Sequence, residues 1–396
     1  MVLAAATLVG ATACDFLLTG PPADADLFDA PIPGLTPEEE RVFARGDAGF
    51  GQRFSPREGL GPIFNAASCA SCHSGDGRGR PENVLTRISI GTDPAISLGG
   101  PQIQDKATPG ARPESVPGGV DVSRRLPPPV FGVGFIEAIP VADILANADP
   151  SDGDGDGISG RPNWVTPADF VPLDEPGGGA GPQLGRFSRK GQVSSLLQQI
   201  SEAYHQDMGI TTDFLPVENV NPQFGSLTQS ADPAPDPEVP AATVRAVVDY
   251  VRMLAAPAPG EDTPTRQRGD EVFRQIGCED CHVREFRTGA SSVAALANQR
   301  VVLYSDLLLH DMGDALADNR PDGSATGREW KTPPLWGLRI ARDFLNGELF
   351  LLHDGRATAV AEAIELHGGE AAASRDAFVG LNDADREALL DFVRSR

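Results

Sequence analysis

The sequence predicts a mostly α-helical protein in which two similar domains are interrupted by long irregular segments rich in proline and glycine. Its 396 residues are enough for two or three domains of ordinary size. The pattern Cys-x-x-Cys-His occurs twice, at Cys69–His73 and at Cys278–His282, and a predicted helix precedes and follows each copy. Gly (44 residues) and Pro (35 residues) are concentrated between the copies, which favours irregular chain around small helical cores.

The first half begins with a capped helix and ends with an apolar one. Thr36-Pro37-Glu38-Glu39 supplies an N-cap, a proline at the first helical position and a capping-box glutamate, which predicts a helix from Pro37 to about Arg45. The closing helix, before Pro257, is indicated by apolar residues at helical spacing, namely Val244, Val247, Val248, Val251 and Leu254.

The second half repeats this order. A helix is predicted from Arg268 to Ile276, directly before the second motif, with its apolar residues on one face. A closing helix follows a cap at Asn382 or Asp383, and its apolar residues are Leu389, Leu390, Phe392 and Val393.

The two Cys-x-x-Cys-His motifs indicate covalent c-type haem. Each thiol, in Cys69 and Cys72 or in Cys278 and Cys281, adds to a porphyrin vinyl group, and His73 or His282 binds the iron. A zinc knuckle or a dithiol redox pair uses the same cysteine spacing but does not require the histidine. Helix, motif, irregular chain and closing helix make up the cytochrome c plan, so we predict one such domain over residues 36–260 and a second over 261–396.

The first 35 residues predict export. Residues 1–13 are small and apolar and end at Cys14, which is typical of a signal segment with a lipid-modified cysteine, although the basic start of such segments is missing. A plain cleaved signal or an inert cysteine are the alternatives. Haem attachment to thiols also favours the periplasm or cell envelope. No other apolar run reaches the roughly 20 residues of a membrane span, so membrane contact is expected only through Cys14.

The net charge of −23 excludes nucleic acid as a partner, because phosphates would be repelled. It favours a basic redox partner protein or a small electron donor, or it simply reflects a solvated acidic surface.

A long insertion is predicted over about residues 87–182, with little hydrophobic periodicity and no regular structure. Within it, Asp152, Asp154 and Asp156 alternate with glycine before Ile158, as in the first half of a calcium loop whose fourth ligand is a backbone carbonyl. The position of the final bidentate glutamate is Asn163. One calcium ion is therefore expected, with an acidic turn as the alternative.

Several further segments resemble the bacterial di-haem oxidoreductases known as peroxidase-like or thiol-oxidoreductase-like proteins. The resemblance covers nearly all of the chain after residue 35 and lies in Gly59–Asn65, Ser68–His73, Gly77–Pro81, Asp306–Gly313, Trp330–Gly337, His353–Arg356 and His367–Glu370. The layout is more distantly similar to the di-haem cytochrome c peroxidases. This implies two covalent haems and either the reduction of a peroxide or the oxidation of a partner at the first haem.

The distant resemblance also implies roles for the haems. It puts the second distal haem ligand at His367, and helical spacing from Val360 independently places His367 on a buried face, where a core histidine is the alternative. With two histidine ligands the second haem would transfer electrons. No His, Met or Tyr follows His73 where those peroxidases place a displaceable histidine, in the stretch 87–91, so the first haem is expected to be open and to be the reaction centre.

The segments Leu196–Gln199 and Gln206–Gly209 resemble the peroxidase segment that lines the peroxide pocket, which implies catalytic roles for Gln199 and Asp207. Asp207 stands where those enzymes have glutamate, and the alternative for it is a carboxylate on a helix surface. Other residues that could reach the first haem are His205, Met208, His310 and Met312, for which structural roles are favoured. The alternative functions are an electron-transfer cytochrome without catalysis and, more remotely, a zinc-stapled binding protein.

Overall fold

The computed structural model of the protein describes residues 23, 27–73, 75, 77–224 and 232–396. Cys14 and the export segment predicted over residues 1–13 lie outside these residues. Helices account for 33% of the structure and strands for 13%. The predicted mostly α-helical class is therefore only partly confirmed, because the content is mixed. In the part of the chain that is described, no helix is both long and apolar enough to cross a bilayer.

The α-helices follow the predicted order, with short additional helices between the main ones. They are α1 (Pro37–Gly51), α2 (Cys69–Cys72), α3 (Val133–Ala138), α4 (Val141–Leu145), α5 (Leu196–Met208), α6 (Ala241–Met253), α7 (Pro264–Gln275), α8 (Ala341–Phe344), α9 (Val360–Glu365), α10 (Ala372–Val379) and α11 (Asp383–Arg394).

Helices α1 and α6 pack against each other in the first half. The predicted capping box is present, since the Glu39 N–H donates to Thr36 Oγ1 and the Thr36 N–H donates to the Glu39 carboxylate at 2.7 Å. The helix continues to Gly51, beyond the predicted end at Arg45. A Cβ atom at Gly46 would lie 2.1 Å from the Ala246 carbonyl oxygen, so the helices can approach this closely only at a glycine.

Helices α7 and α11 repeat this contact in the second half. A Cβ at Gly269 would lie 2.1 Å from the Ala388 carbonyl oxygen. Helix α7 starts at Pro264, before the predicted Arg268, because the Thr263 side chain caps it. Asn382, one of the two predicted caps, accepts the Asp385 N–H at 3.0 Å and starts α11. In each half, the first helix thus packs across the last helix.

The strands are short and pair locally. They are β1 (Ile63–Phe64), β2 (Leu85–Ser89), β3 (Gln102–Ile103), β4 (Lys106–Ala107), β5 (Asp121–Arg125), β6 (Trp164–Val165), β7 (Gln183–Leu184), β8 (Glu285–Arg287), β9 (Arg300–Val302), β10 (Leu309–Asp311) and β11 (Glu329–Lys331). Strand β2 is central in an antiparallel sheet of order β3-β2-β5. The prediction of an insertion without regular structure over residues 87–182 is therefore wrong, since this sheet and helices α3 and α4 fall within it.

Side chains from both halves share one apolar core. Val247 of α6, Phe273 of α7 and Leu389 of α11 belong to the same buried cluster, which also includes the stacked rings of Phe28 and Phe131, 4.6 Å apart. The division into domains at residue 260 stays a prediction. The shared core brings the two Cys-x-x-Cys-His motifs to one interior.

Candidate functional site

A cavity of about 410 Å³ is lined by both Cys-x-x-Cys-His motifs. The lining includes the cysteines and histidines predicted to attach haem, namely Cys69, Cys72, His73, Cys278, Cys281 and His282. Its wall contains apolar side chains from α5, α6, α9 and α11. The structure thus brings the two motifs, which are some two hundred positions apart in sequence, to a common interior.

The first motif forms the short helix α2. The Ser68 hydroxyl accepts the Ser71 N–H and caps this helix, which turns both cysteines of the motif towards the cavity. His73 Nδ1 donates to the Gly77 carbonyl oxygen at 3.3 Å. Burial lowers the pKa of His73 to about 4, so the ring is neutral at pH 7. Its Nε2 therefore carries the lone pair that a metal requires.

The second motif also presents a buried, neutral histidine, but its first cysteine lies on a 3₁₀ turn and not on an α-helix. Gly277, at a φ of 79°, starts a 3₁₀ turn over Cys278–Asp280. His282 Nδ1 donates to the Tyr304 carbonyl oxygen at 2.9 Å, and burial lowers its pKa to about 4. A backbone carbonyl that fixes Nδ1–H is the usual support of a metal-binding histidine, because it leaves Nε2 available.

The motif thiols do not have the environment of a dithiol redox pair. Burial raises the pKa of Cys72 and of Cys278 to about 12. Reactive dithiols have a lowered thiol pKa instead. The geometry therefore favours cysteines that are modified covalently over cysteines that exchange electrons themselves.

His367 lines the same cavity, just after the end of α9. Its Nδ1 donates to the Ala363 carbonyl oxygen at 2.6 Å, and burial lowers its pKa. It lies close enough to His282 for the two rings to affect each other's charge. His367 thus shares the tautomer and the neutral state of His73 and His282, and its Nε2 is also available for a metal.

The residues Gln199 and Asp207 both line the cavity from α5. The Ser188 hydroxyl donates to Gln199 Oε1 at 2.6 Å. Asp207 Oδ1 accepts a hydrogen bond from Gln102 Nε2, with 2.5 Å between the two atoms. Burial raises the pKa of Asp207 to about 6, although the Gln102 hydrogen bond and the charge of Arg87 oppose the change. Asp207 can therefore gain and lose a proton near neutral pH.

Three neighbours of Asp207 were not predicted from the sequence. Glu202 lines the cavity one turn after Gln199, and burial raises its pKa. Its spacing from Gln199 on the same helix was an available signal. Gln102 and Arg87 come from β3 and β2, and nothing in the local sequence places that sheet beside α5.

Two of the four side chains considered for the first haem are unsuited to bind it. His310 Nε2 donates to Asp306 and Nδ1 donates to Glu370, each at 2.7 Å. Burial alone would lower the pKa of His310, but hydrogen bonds with Asp306, Cys281 and Glu370 raise it to about 12. The imidazolium has no lone pair for a metal. His205 does not line the cavity, whereas Met208 and Met312 do.

The predicted calcium residues form an exposed loop. Asp152 and Asp154 can bring carboxylate oxygens within 4.8 Å of one another together with Asp149, which was not predicted. Asp156 instead accepts the Ile158 N–H at 2.7 Å. The next residue, Ser159, donates twice to Glu370, which ties this loop to the His310 cluster.

The basic side chains of the cavity match the chemistry of a porphyrin. Its lining is mostly apolar but includes the cations Arg78, Arg189 and Lys331. Arg78 Nε is enclosed and has no hydrogen-bond partner among the described residues. A haem presents a large apolar ring and two carboxylates, so the thiols, the neutral histidines and these cations suit it.

The chain matches the family model described as "Di-haem oxidoreductase, putative peroxidase" over residues 13–117 and 111–396. No curated protein matches it. Among solved structures, hydrazine synthase of Kuenenia stuttgartiensis is similar with 14% sequence identity and a TM-score of 0.39, over 100% of this chain and 99% of that chain. A similarity of that degree carries no argument, whereas the family model includes both motifs. The chain belongs to the di-haem oxidoreductase family.

Proposed function

We propose that the protein is an exported c-type cytochrome with two covalent haems that reduces a peroxide at the first haem and draws electrons through the second. The observation that supports this most is the shared cavity, in which both haem motifs meet Asp207. Family membership makes haem the cofactor. We further propose that the haems are attached covalently, through Cys69 and Cys72 and through Cys278 and Cys281.

The haems would supply electrons and an iron that binds the peroxide. Asp207 would take the proton from one peroxide oxygen and return it to the other, since a raised pKa near 6 suits both transfers. Gln102 holds the carboxylate in place through its 2.5 Å hydrogen bond. Gln199, held by Ser188, would orient the substrate with its amide group.

The neutral His73 and His282 would bind the two irons through Nε2, and His367 would complete the second. With His367 bound to it, the second haem iron would have no free axial position, and this haem would serve electron transfer only. The alternative function is an electron-transfer cytochrome without catalysis. It requires that both axial positions of the first iron are also occupied by ligands. We place the protein in the periplasm or cell envelope, with Cys14 as a possible lipid anchor and a redox partner protein or small molecule as electron donor.

His367→Ala is expected to convert one of the two haems from low spin to high spin, because one strong ligand is lost. His367→Met should keep that haem low spin and raise its potential, since thioether ligands favour reduced iron. Electron paramagnetic resonance and a redox titration measure these changes. His205→Ala is the matched control, since His205 lies outside the cavity. Spectra that are unchanged in both His367 variants would make His367 a core residue.

Calcium is expected to raise the melting temperature of the protein, because Asp149, Asp152 and Asp154 place three carboxylates in one loop. The increase should disappear in Asp154→Ala and persist in Asp169→Ala, which changes an exposed aspartate outside the loop. Thermal unfolding with calcium and with chelator measures both effects. Identical melting curves for the wild type in the two conditions would reject the site.

A further inference from the structure

Three cations that line the cavity have no carboxylate of their own. Arg78 follows the first haem motif, Arg189 precedes α5, and Lys331 ends β11 in the second half. None of the three forms an ion pair with any residue that the structure describes. Two nearby carboxylates are already engaged, Asp306 by His310 and Asp354 by Arg356. The cluster Arg78, Arg189 and Lys331 is called the cation cluster below.

Enclosing three like charges is unfavourable unless anions join them. Arg78 is only 9% exposed, and among the described residues its guanidinium donates to one acceptor, the Trp336 carbonyl oxygen at 3.4 Å. Arg189 donates to the carbonyl oxygens of Leu126 and Pro127, at 2.9 and 3.4 Å. Carbonyls orient these groups but leave their charge uncompensated.

The pKa shifts within the cluster agree with this description. Burial lowers the pKa of Arg189 to about 9, and the charges of Arg78 and Arg125 lower it further. Burial also lowers the pKa of Lys331 to about 8, with the charge of Arg189 as the next cause. Arg189 is therefore a near neighbour of both Arg78 and Lys331, and a carboxylate beside it would relieve the repulsion between these charges.

Three other basic groups near the cavity lie beside acids. Arg125 pairs with Asp322 at 2.5 Å and with Asp318 at 3.4 Å, and Lys190 pairs with Asp318 at 2.8 Å. Arg87 lies near Glu202 and Asp207 on the α5 side. Arg186 also lines the cavity without an ion pair among the described residues, but it donates to three backbone carbonyl oxygens and lies near the charge of Glu137. The cation cluster differs from it because the cluster receives residues from both halves of the chain.

We propose that the cation cluster binds haem propionates and that, through Lys331 in particular, it raises the haem reduction potential. The proposal rests on the attachment of haem but not on reaction with peroxide. A haem carries two propionate carboxylates, and arginine and lysine are the usual partners of buried carboxylates. A cation beside a propionate offsets its negative charge, which would otherwise disfavour the addition of an electron to the haem.

The test is a redox titration of the holoprotein carrying Lys331→Met. The Lys331 ammonium forms no hydrogen bond with any residue that the structure describes, so this variant removes charge with little change of shape. We expect at least one haem to lose about tenfold in its ratio of reduced to oxidised form at a fixed potential, which is a decrease of about 59 mV for one electron. Lys331→Arg should restore the wild-type potential. Arg328→Gln changes a partly exposed arginine that directly precedes β11 and is paired with Asp311, and it should leave both potentials unchanged.

Haem content measured on the same samples separates this proposal from the wider function. Two haems per chain with unchanged potentials in Lys331→Met and in Arg189→Gln would overturn the propionate proposal and leave the peroxidase proposal intact. Fewer than two haems in the wild type would contradict the proposed function instead. If added acetate shifts the wild-type potentials and Lys331→Met abolishes that shift, the cluster binds carboxylates from solution, which also overturns the proposal.

Discussion

Asp207→Asn is expected to slow the oxidation of the reduced holoprotein by hydrogen peroxide by about 100-fold, because one positioned proton-transfer group typically contributes that much. The amide cannot take up the proton that must move between the peroxide oxygens. It keeps the shape of the side chain and can still meet Gln102, so both haems should stay bound. Stopped-flow absorbance measures the rate, and the haem content of the same sample serves as the check on integrity.

The dependence of this rate on pH gives a second signature of Asp207. The carboxylate must be ionised to accept the proton, and burial raises its pKa to about 6. The wild-type rate should therefore be full above pH 7 and decrease as the pH falls through about 6. Asp207→Asn should remove this inflection, since its residual rate no longer depends on that group.

Two further variants show whether the effect belongs to Asp207. Glu202→Gln changes the other cavity carboxylate of α5 and is expected to have a much smaller effect. Asp169→Asn changes an exposed aspartate outside the cavity and should leave the rate unchanged. A normal rate in Asp207→Asn together with a large loss in Glu202→Gln would transfer the proton-transfer role to Glu202.

Replacing both cysteines of one motif is expected to reduce the covalently bound haem from two per chain to one. The double variant Cys69→Ala/Cys72→Ala removes both thioether bonds of the first haem, and Cys278→Ala/Cys281→Ala does so for the second. Each half has its own helix crossing, at Gly46 or at Gly269, so the unchanged half should still retain its haem.

The pyridine haemochrome assay after acid extraction measures this loss in protein made with cytochrome c maturation. Cys72→Ser alone is the graded control, because one thioether bond remains possible at Cys69. Two covalent haems in either double variant would contradict attachment at that motif. A wild-type protein with bound zinc and no haem absorbance would instead support the remote alternative of a zinc-stapled protein.

The parts of the fold that the sequence predicts are those whose signals are local. The capping box at Thr36 and the cap at Asn382 place the starts of α1 and α11 because each involves residues within one turn. The end of α1 was missed since Gly46 and Gly49 disfavour a helix in isolation. Contact with α6, where Gly46 meets Ala246, overrides that preference.

The inserted sheet was missed because its pairing is not local. Strand β2 pairs Thr86 with Ile103 and Ile88 with Val122, and the intervening chain carries no period that marks these partners. Each strand is also short, which leaves little alternation to detect.

The candidate site divides in the same way. The Cys-x-x-Cys-His motifs were recognisable since the chemistry requires its residues within five positions. The surroundings of Asp207 were not, because Gln102 comes from β3 and about a hundred positions separate the two residues. Lys331 likewise joins Arg78 and Arg189 only through the packing of the two halves. Residues that meet only through tertiary packing have no characteristic spacing in the sequence, so the sequence alone does not predict such pairs.

The central claim is that a peroxide reacts at the first haem and that the second haem supplies an electron to it. Anaerobic stopped-flow mixing of the fully reduced protein with one equivalent of hydrogen peroxide, followed at wavelengths that separate the two haems, tests this most directly. The account predicts that both haems are oxidised in the same fast phase. Two haems that stay reduced after mixing would contradict it and would leave a two-haem electron carrier.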